Sequence, residues 1–275
     1  MRWLAVLGLC AGTAAADPPR WQTAPLPPAM PAPAAQGDLA VEDFTLHWAS
    51  YGDTKAPPVV LLHGGLGSGE DWAGQVPALA ARMRVIVVDS RGHGRSTRAG
   101  SGVSYHRMAE DVVALLDHLK LERVALVGWS DGGIIALDLA IHHPGRTGRM
   151  VVTGTNFDRT GTRAAGKSPT FAAYTRRCVA AYRRPEELPA FRKQLRAMWK
   201  REPAFTAAQL GTIESALLVA HAEHDEIIKR AHSERLAELV PQARFQLLAD
   251  VSHFAIWQDP EGFNRAVLDF LLPPP

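Results

Sequence analysis

The chain is nearly without cysteine: two in 275 residues, Cys10 and Cys178. That scarcity excludes a disulfide framework and a cysteine-built metal centre, and leaves stability to the apolar core. Long apolar runs are missing too. The N-terminal run from Trp3 to Cys10 is far too short to cross a bilayer, so no membrane span is expected. Nor is there an excess of one charge. Thirty Lys and Arg face 28 Asp and Glu, for a net charge of +2, and no block of like charges occurs. Nothing there points to nucleic acid. What is present is ordinary globular composition, 47% hydrophobic and 21% charged. The length suits one large domain with an insertion, or two small ones.

The N-terminus reads as a cleaved leader. Arg2 precedes the apolar run, and Ala14-Ala15-Ala16 offers small residues for cleavage before Asp17. Residues 1–16 are therefore expected to be a signal peptide and the mature protein secreted or periplasmic, with Cys178 its only cysteine. Residues 17–37 carry seven prolines among alanines and are expected to be a linker without packed structure.

From about residue 38 the pattern becomes that of a domain. Phe44-Thr45-Leu46-His47-Trp48 alternates like a half-exposed strand. Continuous apolar runs, mostly rich in β-branched residues, follow at Val59–Leu62, Val85–Val88, Val124–Val127, Met150–Val152 and Ala216–Ala220, and a further strand at Arg244–Leu248. Helical patterns separate them, notably Met108–Leu119, Ile134–His142, Ala231–Leu239 and Phe263–Leu271. Unbroken apolar strands alternating with helices are the pattern of a parallel sheet buried on both faces, so the fold class is α/β. Residues 157–210 break this rhythm with helical pieces alone, Phe171–Tyr182 and Leu188–Lys200. An excursion there is expected to be a cap over the carboxyl ends of the strands, where open α/β sheets bind ligands.

The chemistry converges on Gly128-Trp129-Ser130-Asp131-Gly132, between a predicted strand and a predicted helix. A serine on such a sharp turn is lifted above the sheet edge, and the following helix aims free N–H groups at developing negative charge. Serine is a poor nucleophile at neutral pH and needs a base oriented by an acid. Asp225, just after the Ala216–Ala220 strand, is the best-placed acid, with Glu226 and Glu223 as runners-up. His253, in the loop after the Arg244–Leu248 strand, is the candidate base. The oxyanion donors are expected to be the backbone N–H groups of Asp131 and Gly65, the latter in His63-Gly64-Gly65-Leu66-Gly67.

Together, His63-Gly64-Gly65, Asp89-Ser90-Arg91-Gly92-His93-Gly94-Arg95-Ser96, Gly128-Trp129-Ser130-Asp131-Gly132-Gly133, Asp225 and Ser252-His253 resemble the α/β-hydrolase fold superfamily over roughly residues 41–272. The resemblance implies a mostly parallel central sheet with a helical cap and a catalytic order of Ser, acid, His. It also implies that Asp89–Ser96 is a structural turn, although its arginines and glycines invite a phosphate-binding reading. The Gly-Trp-Ser-Asp-Gly-Gly elbow and Leu66-Gly67-Ser68-Gly69-Glu70 are similar to the valacyclovir hydrolase (biphenyl hydrolase-like) branch, which cleaves α-amino-acid esters. In that branch the acid matching Asp131 is expected to hold the substrate amine. Asp131, Leu66 and Trp129 are accordingly the candidate substrate-binding residues. Against an amine, the 157–210 segment is rich in Arg and Lys, which favours anions. A simpler role for Asp131 is an acid at a helix start.

His221 and His224 flank Asp225, yet no third group at sensible spacing completes a metal site. His142-His143 reads as the cationic end of a helix. No metal or other cofactor is expected. The expected activity is ester hydrolysis of a small molecule. C–C bond hydrolysis, amide or peptide hydrolysis, or a non-catalytic receptor role for the same pocket remain alternatives. Epoxide or haloalkane hydrolysis, which needs an Asp at the position of Ser130, is disfavoured.

Overall fold

A computed structural model of the protein describes residues 17–163 and 168–272. The expected leader, residues 1–16, lies outside them. Eight strands form one sheet: β1 (Ala35–Val41), β2 (Phe44–Tyr51), β3 (Pro58–Leu62), β4 (Arg84–Val88), β5 (Val124–Trp129), β6 (Thr147–Thr153), β7 (Leu217–Ala222) and β8 (Ala243–Leu248). Their spatial order is β1-β2-β4-β3-β5-β6-β7-β8. The β1–β2 and β2–β4 pairs are antiparallel and every later pair is parallel. The helices are α1 (Val76–Ala80), α2 (Tyr105–His118), α3 (Asp131–His142), α4 (Pro169–Ala181), α5 (Leu188–Trp199), α6 (Ala207–Leu210), α7 (Arg230–Leu239), α8 (Ala255–Gln258) and α9 (Pro260–Leu271). Among the described residues, no helix is long and apolar enough to cross a membrane.

The period-two alternation of each strand divides the core into two layers. Val60 and Leu62 of β3 face one side, with Met108 and Val112 of α2, Ile135 and Leu139 of α3 and Leu236 of α7. Val59 and Leu61 face the other, with Val76 and Leu79 of α1 and Phe263 and Val267 of α9. Both faces of the central strands β3 to β7 are largely dry, which is why their sequences read as nearly unbroken apolar runs. Because β3 lies between β4 and β5, the chain reverses direction across the sheet there. Two loops therefore diverge from the carboxyl ends of β3 and β5, the place where such sheets open a ligand crevice.

The N-terminal stretch departs from expectation. Residues 35–37 belong to β1, which pairs residue for residue with β2 from Ala35↔Ser50 to Val41↔Phe44. Its sequence, AQGDLAV, has little strand propensity, and its conformation comes from the β2 edge it completes. The proline-rich segment before it is laid against the domain. The Gln258 side-chain amide donates to the carbonyls of Trp21 (3.2 Å) and Thr23 (2.8 Å), Trp21 stacks on His224 at 4.5 Å, and Arg20 pairs with Asp259 at 3.0 Å. Proline-rich backbone keeps its carbonyls free, so side chains of the domain can anchor it without regular structure.

The arginine- and glycine-bearing turn after β4 is a structural element. Asp89 accepts from the backbone N–H groups of Gly69 (2.6 Å) and Arg95 (2.7 Å). Arg91 is buried and makes a two-pronged bond to Asp111 of α2 at 2.7 and 2.6 Å, with its guanidinium 4.8 Å from the Phe44 ring. Such a pair is costly to break because the remaining charge stays buried. Arg91→Ala is expected to destabilise the fold by about 3–5 kcal/mol, whereas the apolar double replacement Arg91→Met with Asp111→Leu is expected to cost less. Urea denaturation midpoints of the two variants measure this, and a single-variant loss under about 1 kcal/mol would reject the reading.

Candidate active site

Ser130 is the hinge between β5 and α3, at φ +55° and ψ −120°. That backbone is unfavourable for any residue with a side chain and persists only where the surroundings enforce it. Tight packing of the helix start does so. A Cβ at Gly132 would lie 2.0 Å from the carbonyl oxygen of Leu62 at the end of β3, so only glycine lets α3 come this close. The approach brings the first N–H of α3 beside the loop that leaves β3. Among the described residues, neither the Asp131 nor the Gly65 N–H has an acceptor within the protein. Two unspent donors thus flank Ser130, the arrangement that can stabilise an oxyanion.

His63 shapes the β3 loop from beneath. Its Nε2 accepts from the Ser90 N–H at 3.0 Å, which leaves Nδ1–H to donate to the Gly64 carbonyl at 2.8 Å. From above, the Tyr174 hydroxyl of α4 donates to the Gly65 carbonyl at 2.8 Å. Leu66 follows at φ +66°.

His253 and Asp225 meet as expected, with His253 Nδ1 3.1 Å from both carboxylate oxygens and both side chains almost fully buried. Asp225 Oδ1 also accepts from the Ile227 and Ile228 N–H groups, each at 2.8 Å. Burial opposes the Asp225 charge, but the imidazole and these amides outweigh it and hold the carboxyl below its ordinary value. Burial likewise opposes protonation of His253. The Asp225 carboxylate and its hydrogen bond, with the charges of Glu226 and Asp131, reverse that and raise the imidazole above its ordinary value.

Several residues here were not singled out from the sequence. Gly154, directly after β6, has φ +58°, and a Cβ there would lie 2.7 Å from His253 Cε1. A glycine ending a strand of this sheet was the available signal. Glu226, read as a spare candidate for the acid, has a different position. One of its oxygens accepts the His253 backbone N–H at 3.0 Å, and the other accepts from Ser168 (2.8 Å) and Thr170 at the start of α4. It ties the histidine loop to the cap. Glu223 instead accepts from the Asp250 N–H, away from His253.

Ser130, Gly65, Asp131 and His253 line one cavity of about 250 Å³ with Leu66, Trp129 and, from the expected cap, Phe171, Tyr174 and Trp199. Trp129 is 1% exposed, and its indole N–H donates to the His253 carbonyl at 2.8 Å, so its main contact braces the histidine loop. The Asp131 carboxylate turns into the cavity rather than back onto its helix. One oxygen accepts from the Tyr105 hydroxyl of α2 and the other from the Trp199 indole of α5, each at 2.9 Å. Burial pushes this carboxyl above its ordinary value against those two donors. Arg159, Arg163 and Glu202 add charge to the same wall.

Comparison with known proteins gives a consistent picture. Residues 57–177 match the alpha/beta hydrolase fold family. The chain is 33% identical over 260 residues to RutD of Caulobacter sp. (strain K31), named as a carbamate hydrolase, covering 83% of this chain and 96% of the relative. It is 30% identical over 260 residues to the serine hydrolase BPHL of Homo sapiens, covering 85% of each. Among solved structures it resembles Est816, described as an N-acyl homoserine lactone degrading enzyme, with a TM-score of 0.69 and 28% identity over 85% of this chain and all of that one.

In the expected role of base, His253 must be neutral to accept a proton, so activity should fade as pH falls through its raised value. The acid limb of kcat/KM is expected above the ordinary imidazole value of about 6.5. Glu226→Gln removes one nearby negative charge and one acceptor. It should move that limb to lower pH and reduce kcat roughly 2–13-fold. A pH–rate profile of both proteins tests this, and an unmoved limb would remove Glu226 from any influence on His253.

Proposed function

The chain belongs to the α/β-hydrolase fold family, and from that premise we propose a serine hydrolase that cleaves carboxylic esters of small molecules through an acyl-enzyme on Ser130. The observation that carries the proposal is the strained Ser130 turn sharing a small cavity with a buried His253–Asp225 pair and two unspent backbone donors. In this reading Ser130 Oγ attacks the ester carbonyl while His253 Nε2 takes its proton. Asp225 keeps the Nδ1–H tautomer in place and offsets the imidazolium charge. The Gly65 and Asp131 N–H groups receive the oxyanion, worth about 2.7–4 kcal/mol per donor in enzymes of this kind. His253 then protonates the departing alkoxide, and water, activated by the same imidazole, releases the acid. Est816 is described as degrading an N-acyl homoserine lactone, a molecule that contains a cyclic ester, and this supports the choice of bond.

Ser130→Ala and His253→Ala are each expected to lower ester hydrolysis by roughly a thousandfold or more, and the double variant to lose little beyond either. A fluorophosphonate should label the wild type at Ser130 and leave Ser130→Ala unlabelled. Losses that multiply in the double variant would remove His253 from the base role. Absence of labelling on a folded wild type would favour a receptor that uses the pocket only to bind.

We further propose that the Asp131 carboxylate selects esters with a cationic group next to the scissile carbonyl. It is an anion on the cavity wall, with a neutral donor on each oxygen and no cation paired to it among the described residues. Asp131→Asn keeps the backbone donor. It should cut kcat/KM for α-amino esters roughly 10–150-fold and change neutral esters far less. An equal loss on both substrate classes would reject the amine-binding role.

A further inference from the structure

We propose that the packing of α2 on α3 builds a binding site for a divalent transition-metal ion, Zn²⁺ being the one to test, with His106, Asp138 and His142 as its protein ligands. The three side chains present ligand atoms that all lie within 4.8 Å of one another. Asp138 and His142 stand one turn apart on α3, and His106 comes across from the first turn of α2. Both imidazoles converge on one carboxylate oxygen. His106 Nδ1 is 2.9 Å and His142 Nδ1 3.2 Å from Asp138 Oδ1. A tetrahedral ion with ligands at 2.0–2.2 Å sets neighbouring ligand atoms about 3.3–3.6 Å apart, so these two edges would have to open by only a few tenths of an ångström.

The electrostatics point the same way. The Asp138 side chain is only 5% exposed, and among the described residues its charge is faced by the two histidines alone. A buried carboxylate is stabilised by a cation, and an ion held between the two rings would supply one. The histidine side chains are 54% and 38% exposed, which leaves an entry path, room to draw together, and a fourth position for water. His142 Nδ1 also lies 3.0 Å from the Asp138 main-chain carbonyl, a bond it gives up on coordination. When His106 Nδ1 becomes a ligand its proton belongs on Nε2; Glu110 Oε1, 3.8 Å from that atom, is beyond hydrogen-bond reach and lies 2.6 Å from His143 Nε2 instead. Two imidazoles and one carboxylate without thiolate suit Zn²⁺ or its first-row neighbours rather than Ca²⁺ or Mg²⁺.

The site lies roughly 10–18 Å along α3 from Ser130, so the metal has no part in the proposed ester chemistry. Its effect is mechanical. It staples α3 to the turn of α2 that carries Tyr105, whose hydroxyl holds the Asp131 carboxylate.

The test uses the full chain, purified without a polyhistidine tag and stripped by a chelator, then titrated with Zn²⁺ by calorimetry and by thermal unfolding. The expected result is one ion per chain and a Tm rise of roughly 5–10 °C at a Zn²⁺ concentration a hundredfold above Kd. Co²⁺ in its place should show the visible absorption of a four-coordinate site. His106→Ala and His142→Ala, both partly exposed positions, should keep the wild-type fold and metal-free hydrolase activity. Each should weaken Zn²⁺ binding at least about tenfold and abolish the Co²⁺ spectrum. Failure of the wild type to bind millimolar Zn²⁺, or binding that survives His106→Ala, would overturn the proposal and leave a hydrogen-bonded trio. Binding lost in His253→Ala but kept in His106→Ala would assign the ion to the hydrolase pocket, and overturn it equally.

Discussion

The contact on which the rest of the site depends is the approach of the first turn of α3 to the end of β3, where the space for a Cβ at Gly132 is filled by the Leu62 carbonyl. It forces the positive φ of Ser130, sets the Asp131 N–H beside the Gly65 N–H, and brings both to the point where β3 and β5 diverge. Such strain is tolerable because the strands on either side are packed on both faces. Neither glycine nor serine accounts for the geometry alone. The buried sheet holds the turn, and the turn aims the two donors.

Around that point the machinery is held from several directions by unrelated segments. His253 is gripped at its ring by Asp225, at its N–H by Glu226 and at its carbonyl by Trp129. The helical excursion between β6 and β7 takes part throughout. Tyr174 of α4 holds the loop after β3, Trp199 of α5 holds Asp131, and the start of α4 holds Glu226. The segment is thus built into the positioning of the groups around Ser130 as well as into the cavity wall. A displacement of the cap would loosen the loop, the acid and the histidine together.

The cavity wall carries charge of both signs, Asp131 and Glu202 with Arg159 and Arg163. Part of the surplus of arginine read along residues 157–210 is spent elsewhere. Arg177 pairs with Asp71 at 2.9 Å and stacks on Trp257, and Arg184 pairs with Glu187 at 3.3 Å. Counting charges along a helical segment overstates the anion affinity of the pocket, because few of those side chains line it and some are paired with acids of the fold.

Periodicity in the sequence was sufficient for the strands β2 to β8 and the main helices between them, since a strand dry on both sides must be apolar throughout and a helix on it apolar on one face. The Ser130 elbow was legible because a strand-to-helix turn of this kind needs small residues at fixed spacing, and Asp225 and His253 because each follows a strand of that sheet. Contacts between segments distant in the chain had no such mark. The pairing that makes β1 a strand depends on an open edge of β2. The bond between Glu226 and His253 depends on two loops that meet only after β7 and β8 align. Tyr105, Trp199 and Asp131 come from three helices, and His106 reaches Asp138 and His142 only because α2 lies on α3. Local pattern records which face of an element is buried; which polar atom ends beside which is decided by packing, where one buried charge or donor must find its partner among whatever the fold brings near.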